Sequence, residues 1–250
     1  MKIAIVANTS WNVFNFRKGL VHFLIERGYE VTIIAPRDKY TDEIKKWHIT
    51  YEEIILENKG TNPLADTRFF RKLLHLYNHL KPDIVLHFTI KPNIYGTLAC
   101  RRLKIPCINN VSGLGTTFIR KSISSRIAHL LYRLAFRFAP KVFFQNEEDL
   151  RIFLDKKLVN FSQTGLLPGS GIDLVHFSPT KEQEQTIRKP FVFLMIARLI
   201  YDKGLREYVE AAKIVKNLYP DTQIELIGSY EKNTKHLLNI TEQEVEQWKE

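Results

Sequence analysis

Short apolar runs alternate with stretches of helical period along this chain, and that alternation constrains the fold more than any other feature. Residues 3–7, 31–35, 84–87, 105–111, 142–145, 191–197 and 224–227 are apolar-rich segments of strand length, and Ile54-Ile55 with its alternating approach is a further one. Continuous apolar runs suit strands buried on both faces of a parallel sheet. Between them lie helix-like stretches at 14–27, 64–80, 93–102, 122–138, 147–154 and 205–218. In the first, Phe16, Leu20, Phe23 and Leu24 share a face; in the second, Phe69, Leu73, Leu76 and Leu80 do. Strands that alternate with helices in this way predict βαβ units, hence an α/β chain with a doubly wound parallel sheet.

The punctuation predicts two domains. The first runs over 1–171 and closes at Gly169-Ser170-Gly171. Residues 172–189, with Pro179 and a polar KEQEQ run, suit a linker. Residues 190–250 start a second domain with one strand–helix–strand unit. Such a unit cannot cover both faces of a parallel sheet, so this domain is expected to be incomplete.

Charge is concentrated. The chain carries a formal net charge of +10, and residues 84–146 hold ten Lys and Arg with no Asp or Glu. A block of one sign implies an anionic partner: lipid headgroups, a phosphorylated substrate or nucleic acid. No signature of a nucleic-acid-binding module is present, which argues against the last. The two cysteines, Cys100 and Cys107, make no disulfide scaffold and no metal-ligand spacing, so a reducing cytoplasm is the simpler expectation. Met1-Lys2 leads straight into IAIVA, so no signal peptide is expected. No apolar run reaches the roughly 18 residues a spanning helix needs, so any membrane contact is expected to be peripheral.

Glycine patterns exclude several chemistries. The turn after the first strand, Asn8-Thr9-Ser10-Trp11-Asn12, lacks the G-x-G-x-x-G of nicotinamide and flavin enzymes. Walker A, H-E-x-x-H and G-x-S-x-G sequences are also missing. Ser112-Gly113-Leu114-Gly115 and Pro168-Gly169-Ser170-Gly171 follow strands; each is either a turn that needs positive φ or a loop that lets backbone approach a ligand. Arg198 stands at the carboxyl end of the 191–197 run, and Lys203-Gly204 precedes a helix. Two cations at such a turn suggest a phosphate or diphosphate site, unless they form surface ion pairs with Asp202 or Glu207.

The motif G-S-G-I-D-x-x-x-F-x-P (169–179), followed by A-R-L-x-x-x-K-G (197–204), resembles the GT-B glycosyltransferases of family 4, retaining enzymes that use nucleotide sugars. K-P-N-I-Y-G (91–96) and N-V-S-G-L-G (110–115) are similar to bacterial transferases that extend undecaprenyl-diphosphate-linked sugars, N-acetylgalactosaminyltransferases among them. The resemblance spans essentially the whole chain. It implies a GT-B type fold, a Rossmann-like acceptor-binding domain followed by the start of a second, nucleotide-sugar-binding one. It implies that Arg198 and Lys203 bind the donor diphosphate and neutralise charge on the leaving group. Ser10, Asn12, Lys91, Asn93, Ser112, Gly113, Gly115, Gly169 and Gly171 would belong to loops at the cleft. The family's cleft histidine falls at Ile90; His87, three residues earlier, is either structural or functional. Glu242 and Glu250 are separated by seven residues but sit in a polar helix, so the family's E-x7-E role is not carried over.

The basic segment has two readings. Arg126, His129, Arg133 and Arg137 fall on one helical stripe, with Ile123, Ile127, Leu130, Leu131, Leu134 and Phe138 filling much of the rest. Either the helix packs on the sheet and leaves a solvated basic edge, or Arg120, Lys121, Arg126, Arg133 and Arg137 meet anionic lipid or the acceptor's phosphates. Together the resemblance implies transfer of a hexose or N-acetylhexosamine from a nucleotide diphosphate sugar to a polyprenyl-diphosphate-linked acceptor, peripherally at the inner face of the cytoplasmic membrane. No metal and no cofactor beyond the donor are expected. The alternative is a split or catalytically incomplete transferase, with a second polypeptide that supplies the rest of the donor domain. A nonhydrolysing sugar epimerase of similar architecture fits the linker and R-x-x-x-x-K signs less well.

Overall fold

The computed structural model describes residues 1–57, 62–114, 123–178, 190–229 and 240–248. They fall into two compact units, Met1–Phe177 and Ser178–Glu250, so the divide lies inside the segment expected to be linker.

The first unit is built on seven strands: β1 (Lys2–Val6), β2 (Glu30–Ala35), β3 (Thr50–Glu53), β4 (Ile84–Phe88), β5 (Cys107–Val111), β6 (Lys141–Phe144) and β7 (Thr164–Leu166). They pair in the order β3-β2-β1-β4-β5-β6-β7, parallel throughout. The predicted doubly wound sheet is therefore present. In the middle of it Ile5 pairs with Ile33 on one side and Leu86 on the other. Helices α1 (Ser10–Phe16), α2 (Lys18–Glu26) and α3 (Thr41–Lys45) belong to one half. Helices α4 (Pro63–Leu80), α5 (Thr97–Leu103), α6 (Ile123–Phe136) and α7 (Glu147–Asp155) follow. One core gathers Ile3, Ile5, Val13, Val21 and Ile33; another gathers Ala4, Val6, Phe69, Leu73 and Tyr77. Alternate residues of β1 serve the two cores, which is why its run is apolar without a break.

Four local expectations need correction. The helix expected over 14–27 is two helices, because Arg17 leaves helical geometry at φ −122° and ψ −2°. The third strand ends before Ile54-Ile55: Ile54 is buried, but Ile55 is 86% exposed and so has no core to face. The helix expected over 93–102 opens with a π turn, Pro92–Gly96, before α5. Strand β7 was not predicted; three residues that include Gly165 carry too little apolar signal.

The second unit pairs β8 (Val192–Ile196) with β9 (Gln223–Ile227) in parallel, joined through a 3-10 turn (Tyr201–Lys203) and α8 (Leu205–Leu218). A short helix, α9 (Glu242–Gln247), is tied by Glu244, which accepts from Tyr201 at 2.7 Å and from Arg206 at 2.9 Å. Leu199, Leu205 and Ile240 form its small buried core. Along β8, Val192, Phe193, Leu194 and Ile196 remain exposed.

Candidate functional site

In an open α/β sheet, ligands settle beyond the carboxyl ends of the strands where the strand order reverses. Here the reversal lies between β1 and β4. At that edge the break between α1 and α2 turns Arg17 inward, until it is only 5% exposed. Its guanidinium stacks 4.1 Å over the ring of Phe88, the last residue of β4. Its Nη1 donates to Ser170 Oγ at 3.1 Å, across 153 positions of sequence. Its Nε is buried with no hydrogen-bond partner. Burial depresses the guanidinium's pKa to about 10, since the charged form is the one water would stabilise. Nothing in the sequence singled out Arg17, which read as one more basic residue in a helical stretch.

Ser170 lies between Gly169 and Gly171, whose φ angles of 80° and 77° favour glycine. Its hydroxyl oxygen also accepts from Gln145 Nε2 at 2.9 Å, and Gln145 reaches Asn110 Oδ1 at 3.4 Å. The ends of β5 and β6 and the loop after β7 are thus joined to Arg17 by one chain of hydrogen bonds. Thr89, next after Phe88, holds φ 75°, a strained value for a β-branched residue.

The residues picked from sequence have varied placements. Ser10 is fully buried and donates to Pro36 O at 3.0 Å, beside Tyr51 Oη at 2.7 Å, so its hydroxyl joins α1 to the end of β2. Asn12 caps onto Thr9 Oγ1 through its backbone amide, and its buried Oδ1 has no partner. Lys91 turns to α4, where Nζ donates to Asp66 Oδ1 at 2.7 Å. Asn93 is buried and donates to Asn110 O at 2.9 Å, which ties the π turn to β5. Ser112 and Gly113 are exposed at the end of β5. Gly115, Arg120 and Lys121 lie outside the described residues.

His87 is structural. Its ring is fully buried, with Nδ1 3.0 Å from Asn109 Oδ1 and Nε2 2.9 Å from Tyr77 Oη. Because Asn109 Oδ1 can only accept, Nδ1 carries the proton and Nε2 accepts from Tyr77. Burial raises the Tyr77 phenol well above its ordinary pKa, which keeps that hydroxyl a donor.

In the second unit Arg198 is exposed just past the end of β8, and Lys203 closes the 3-10 turn. Gly204 follows in the left-handed region at φ 73° and opens α8, whose N-terminus has no side-chain cap. Uncapped helix amides that follow Lys203 directly form a setting suited to an anion such as a diphosphate. Among the described residues no group of three or more His, Cys, Asp or Glu is placed to hold a metal ion.

Helix α6 differs from the expected packing. Its inner face is Ser125, Ala128, Tyr132, Ala135 and Phe136, small and aromatic residues that allow close approach. The larger aliphatic residues Ile127, Leu130 and Leu134, with Phe138 beyond the helix end, are exposed, Leu130 by 64%. Arg126, Arg133 and Arg137 are exposed among them. Arg133 donates to Lys156 O at 2.9 Å, and Arg101 stacks 5.0 Å from the Phe138 ring. The outer surface is therefore mixed basic and apolar, not a purely solvated basic edge. Beside it, Pro63, Phe70, Tyr95, Leu98, Ile127 and Leu131 line a groove of about 360 Å³.

Known proteins share this chain's family and fold. Residues 2–146 match the family model described as glycosyl transferase 4-like. An undecaprenol-linked α-1,3-N-acetylgalactosaminyltransferase of Campylobacter jejuni is 26% identical over 247 residues, covering 93% of this chain and 65% of the relative. A diphosphoundecaprenol α-1,3-galactosyltransferase of Escherichia coli is 30% identical over 178 residues, covering 64% of this chain and 45% of the relative. The chain thus spans less than two thirds of the length of both curated relatives. Among solved structures, Anabaena HepE in complex with UDP and glucose gives a TM-score of 0.64 at 15% identity, covering 91% of this chain and 69% of that one. A UDP-GlcNAc 2-epimerase of Neisseria meningitidis gives 0.64 at 14%, covering 100% and 68%. These likenesses establish the GT-B type α/β fold. Since the family model matches more than half of the residues, the chain belongs to the glycosyl transferase 4-like family.

Proposed function

We propose that this chain carries out, or contributes to, retaining transfer of a hexose or N-acetylhexosamine from a nucleotide diphosphate sugar to a polyprenyl-diphosphate-linked glycan. The observation that carries this reading is the 3-10 turn that ends in Lys203 directly before the uncapped start of α8, with Arg198 exposed between β8 and that turn. Transfer breaks the bond between the sugar's anomeric carbon and a phosphate oxygen. The new bond forms from an acceptor hydroxyl on the same face, and that hydroxyl's proton leaves with the nucleoside diphosphate. Negative charge grows on the diphosphate as it departs, and cations with helix amides held at that position stabilise it more than the ground state. The activities of the Campylobacter and E. coli relatives, both on undecaprenol-diphosphate-linked acceptors, support the acceptor class.

The outer face of α6 supports a peripheral position on an anionic leaflet. Apolar residues there can enter the headgroup boundary while Arg126 and Arg137 meet phosphates, each worth about 1 kcal/mol. Among the described residues no helix is long and apolar enough to cross a membrane. Purified protein, a panel of nucleotide sugars and a polyprenyl-diphosphate-linked acceptor test the reading directly. Transfer that Lys203→Ala reduces by about tenfold or more is expected; transfer unchanged in Lys203→Ala overturns the role of the turn.

A second reading is favoured by the exposure of Val192, Phe193, Leu194 and Ile196 along β8. A second polypeptide would cover these residues and complete the donor-binding unit. Absence of transfer with every donor, alongside retained binding to anionic vesicles, selects this reading.

A further inference from the structure

At the carboxyl edge of the first unit's sheet Arg17, Ser170 and Gln145 are joined by hydrogen bonds. Arg17 is buried and makes no ion pair among the described residues, whereas the other deeply placed cation of this unit, Lys91, is matched by Asp66. A buried guanidinium without a counter-charge carries a large desolvation penalty, which an anionic ligand removes. Ser170 Oγ already accepts from Arg17 and from Gln145, so its own hydroxyl proton is left to point outward. Gln145 Nε2 spends its two protons on Ser170 Oγ and Asn110 Oδ1 and so holds Ser170 in place, while Arg17 Nε–H has no partner. The helix break at Arg17 and the positive φ angles on both sides of Ser170 place these groups together.

We infer that Arg17 and Ser170, the latter held in place by Gln145, form an anion site that binds a phosphate or diphosphate group at the carboxyl edge of the first unit. Its residues belong to the first unit, whereas Arg198 and Lys203 belong to the second. Which anion occupies it rests on the proposed function, under which the acceptor's polyprenyl diphosphate and the donor's nucleoside diphosphate are the two sources. The geometry of the site does not depend on that reading.

The test uses the full chain with Arg198 and Lys203 both replaced by alanine, which removes the two cations proposed to hold the donor diphosphate. Inorganic pyrophosphate is titrated by calorimetry into this parent and into the same chain carrying Arg17→Gln or Arg17→Lys. Arg17→Gln is expected to weaken pyrophosphate by about tenfold or more, and Arg17→Lys by less, because lysine keeps the charge and loses the fork. Farnesyl diphosphate and UDP then separate the sources: loss confined to farnesyl diphosphate assigns the acceptor, and loss of UDP assigns the nucleotide. If Arg17→Gln fails to fold, the Nε–H resonance of Arg17 in the unsubstituted chain supplies the answer, and it is expected to shift as pyrophosphate is added. Equal affinity in parent and Arg17→Gln, no saturable binding, or an unmoved Nε–H resonance overturns the inference. Arg17-dependent pyrophosphate binding in a protein that transfers no sugar would leave the anion site standing and remove the proposed function.

Discussion

Lys91 Nζ lies 2.7 Å from Asp66 Oδ1, and the Tyr95 hydroxyl donates to the other carboxylate oxygen at 2.9 Å. Only 12% of the Lys91 side chain and 10% of Asp66 remain exposed, so this pair clamps the π turn onto α4 away from water. Removal of one partner strands the other's charge, which costs about 3–5 kcal/mol. At roughly 2–4 °C per kcal/mol for a unit of this size, Asp66→Ala is expected to lower the melting temperature by roughly 10 °C. Arg37→Ala, which breaks the exposed pair with Asp42, should shift it by less than about 2 °C. Circular dichroism on both variants checks the contrast, and equal shifts would refute it.

The outer row of α6 gives a prediction with the opposite stability signature. Leu130→Asp and Leu134→Asp alter exposed side chains, so melting should hardly move. Binding to vesicles that contain phosphatidylglycerol should fall by about tenfold or more for each. In the unsubstituted chain, binding should weaken as salt rises from about 0.1 M to 1 M, where screening shortens from about 10 Å to 3 Å. Vesicle flotation reads both effects; full retention by the double variant would exclude this face.

Thr89 offers a test of strain. A left-handed conformation costs a β-branched residue about 1–2 kcal/mol, and glycine adopts it freely. Thr89→Gly is expected to raise the first unit's melting temperature by a few degrees. A fall would mean that its side-chain packing outweighs the strain.

Two pH limits follow from three phenols and from Glu244. Burial raises the phenols of Tyr77 and Tyr132, and burial with the Asp66 hydrogen bond raises Tyr95. Their contribution is fully present below the ordinary tyrosine value near 10 and is lost as pH rises beyond it. Absorbance at about 295 nm, the tyrosinate band, should therefore show exposed tyrosines titrating first and these three only with unfolding. Glu244 moves the other way. The Thr241 amide, with Tyr201 and Arg206, holds its carboxyl at about 2. Its contribution is present above the ordinary glutamate value of 4.5 and disappears as pH falls towards 2. Trp248 packs against the second unit's core, so its fluorescence should report this release, and Glu244→Gln should abolish the acid step.

The alternating strands and most helices were legible because parallel strands buried on both faces leave unbroken apolar runs, as in residues 3–7. Arg17 was not. Its neighbours Phe14, Phe16 and Leu20 continue a helical pattern, and its burial depends on Ser170, far along the chain. Helix α6 misled for a different reason. It carries two apolar stripes, and the one with larger residues looked like the core. Close packing against the π turn and α5 instead selects Ala128 and Ala135, a preference that hydrophobicity alone does not reveal. Ser10 sits in a loop expected to face a ligand, yet its hydroxyl is consumed by Tyr51, Thr41 and Pro36.

A Cβ placed on Gly96 would overlap the imidazole of His87, which Tyr77 and Asn109 hold still. Positions 87 and 96 therefore form a single evolutionary character. A lineage that shrinks the residue at 87 opens room for alanine at 96, and one that adds a methyl at 96 first must abandon the histidine. Across descendants of this sequence the two sites should change hands together, and the order of the two steps, smaller at 87 and then larger at 96, is set by the ring.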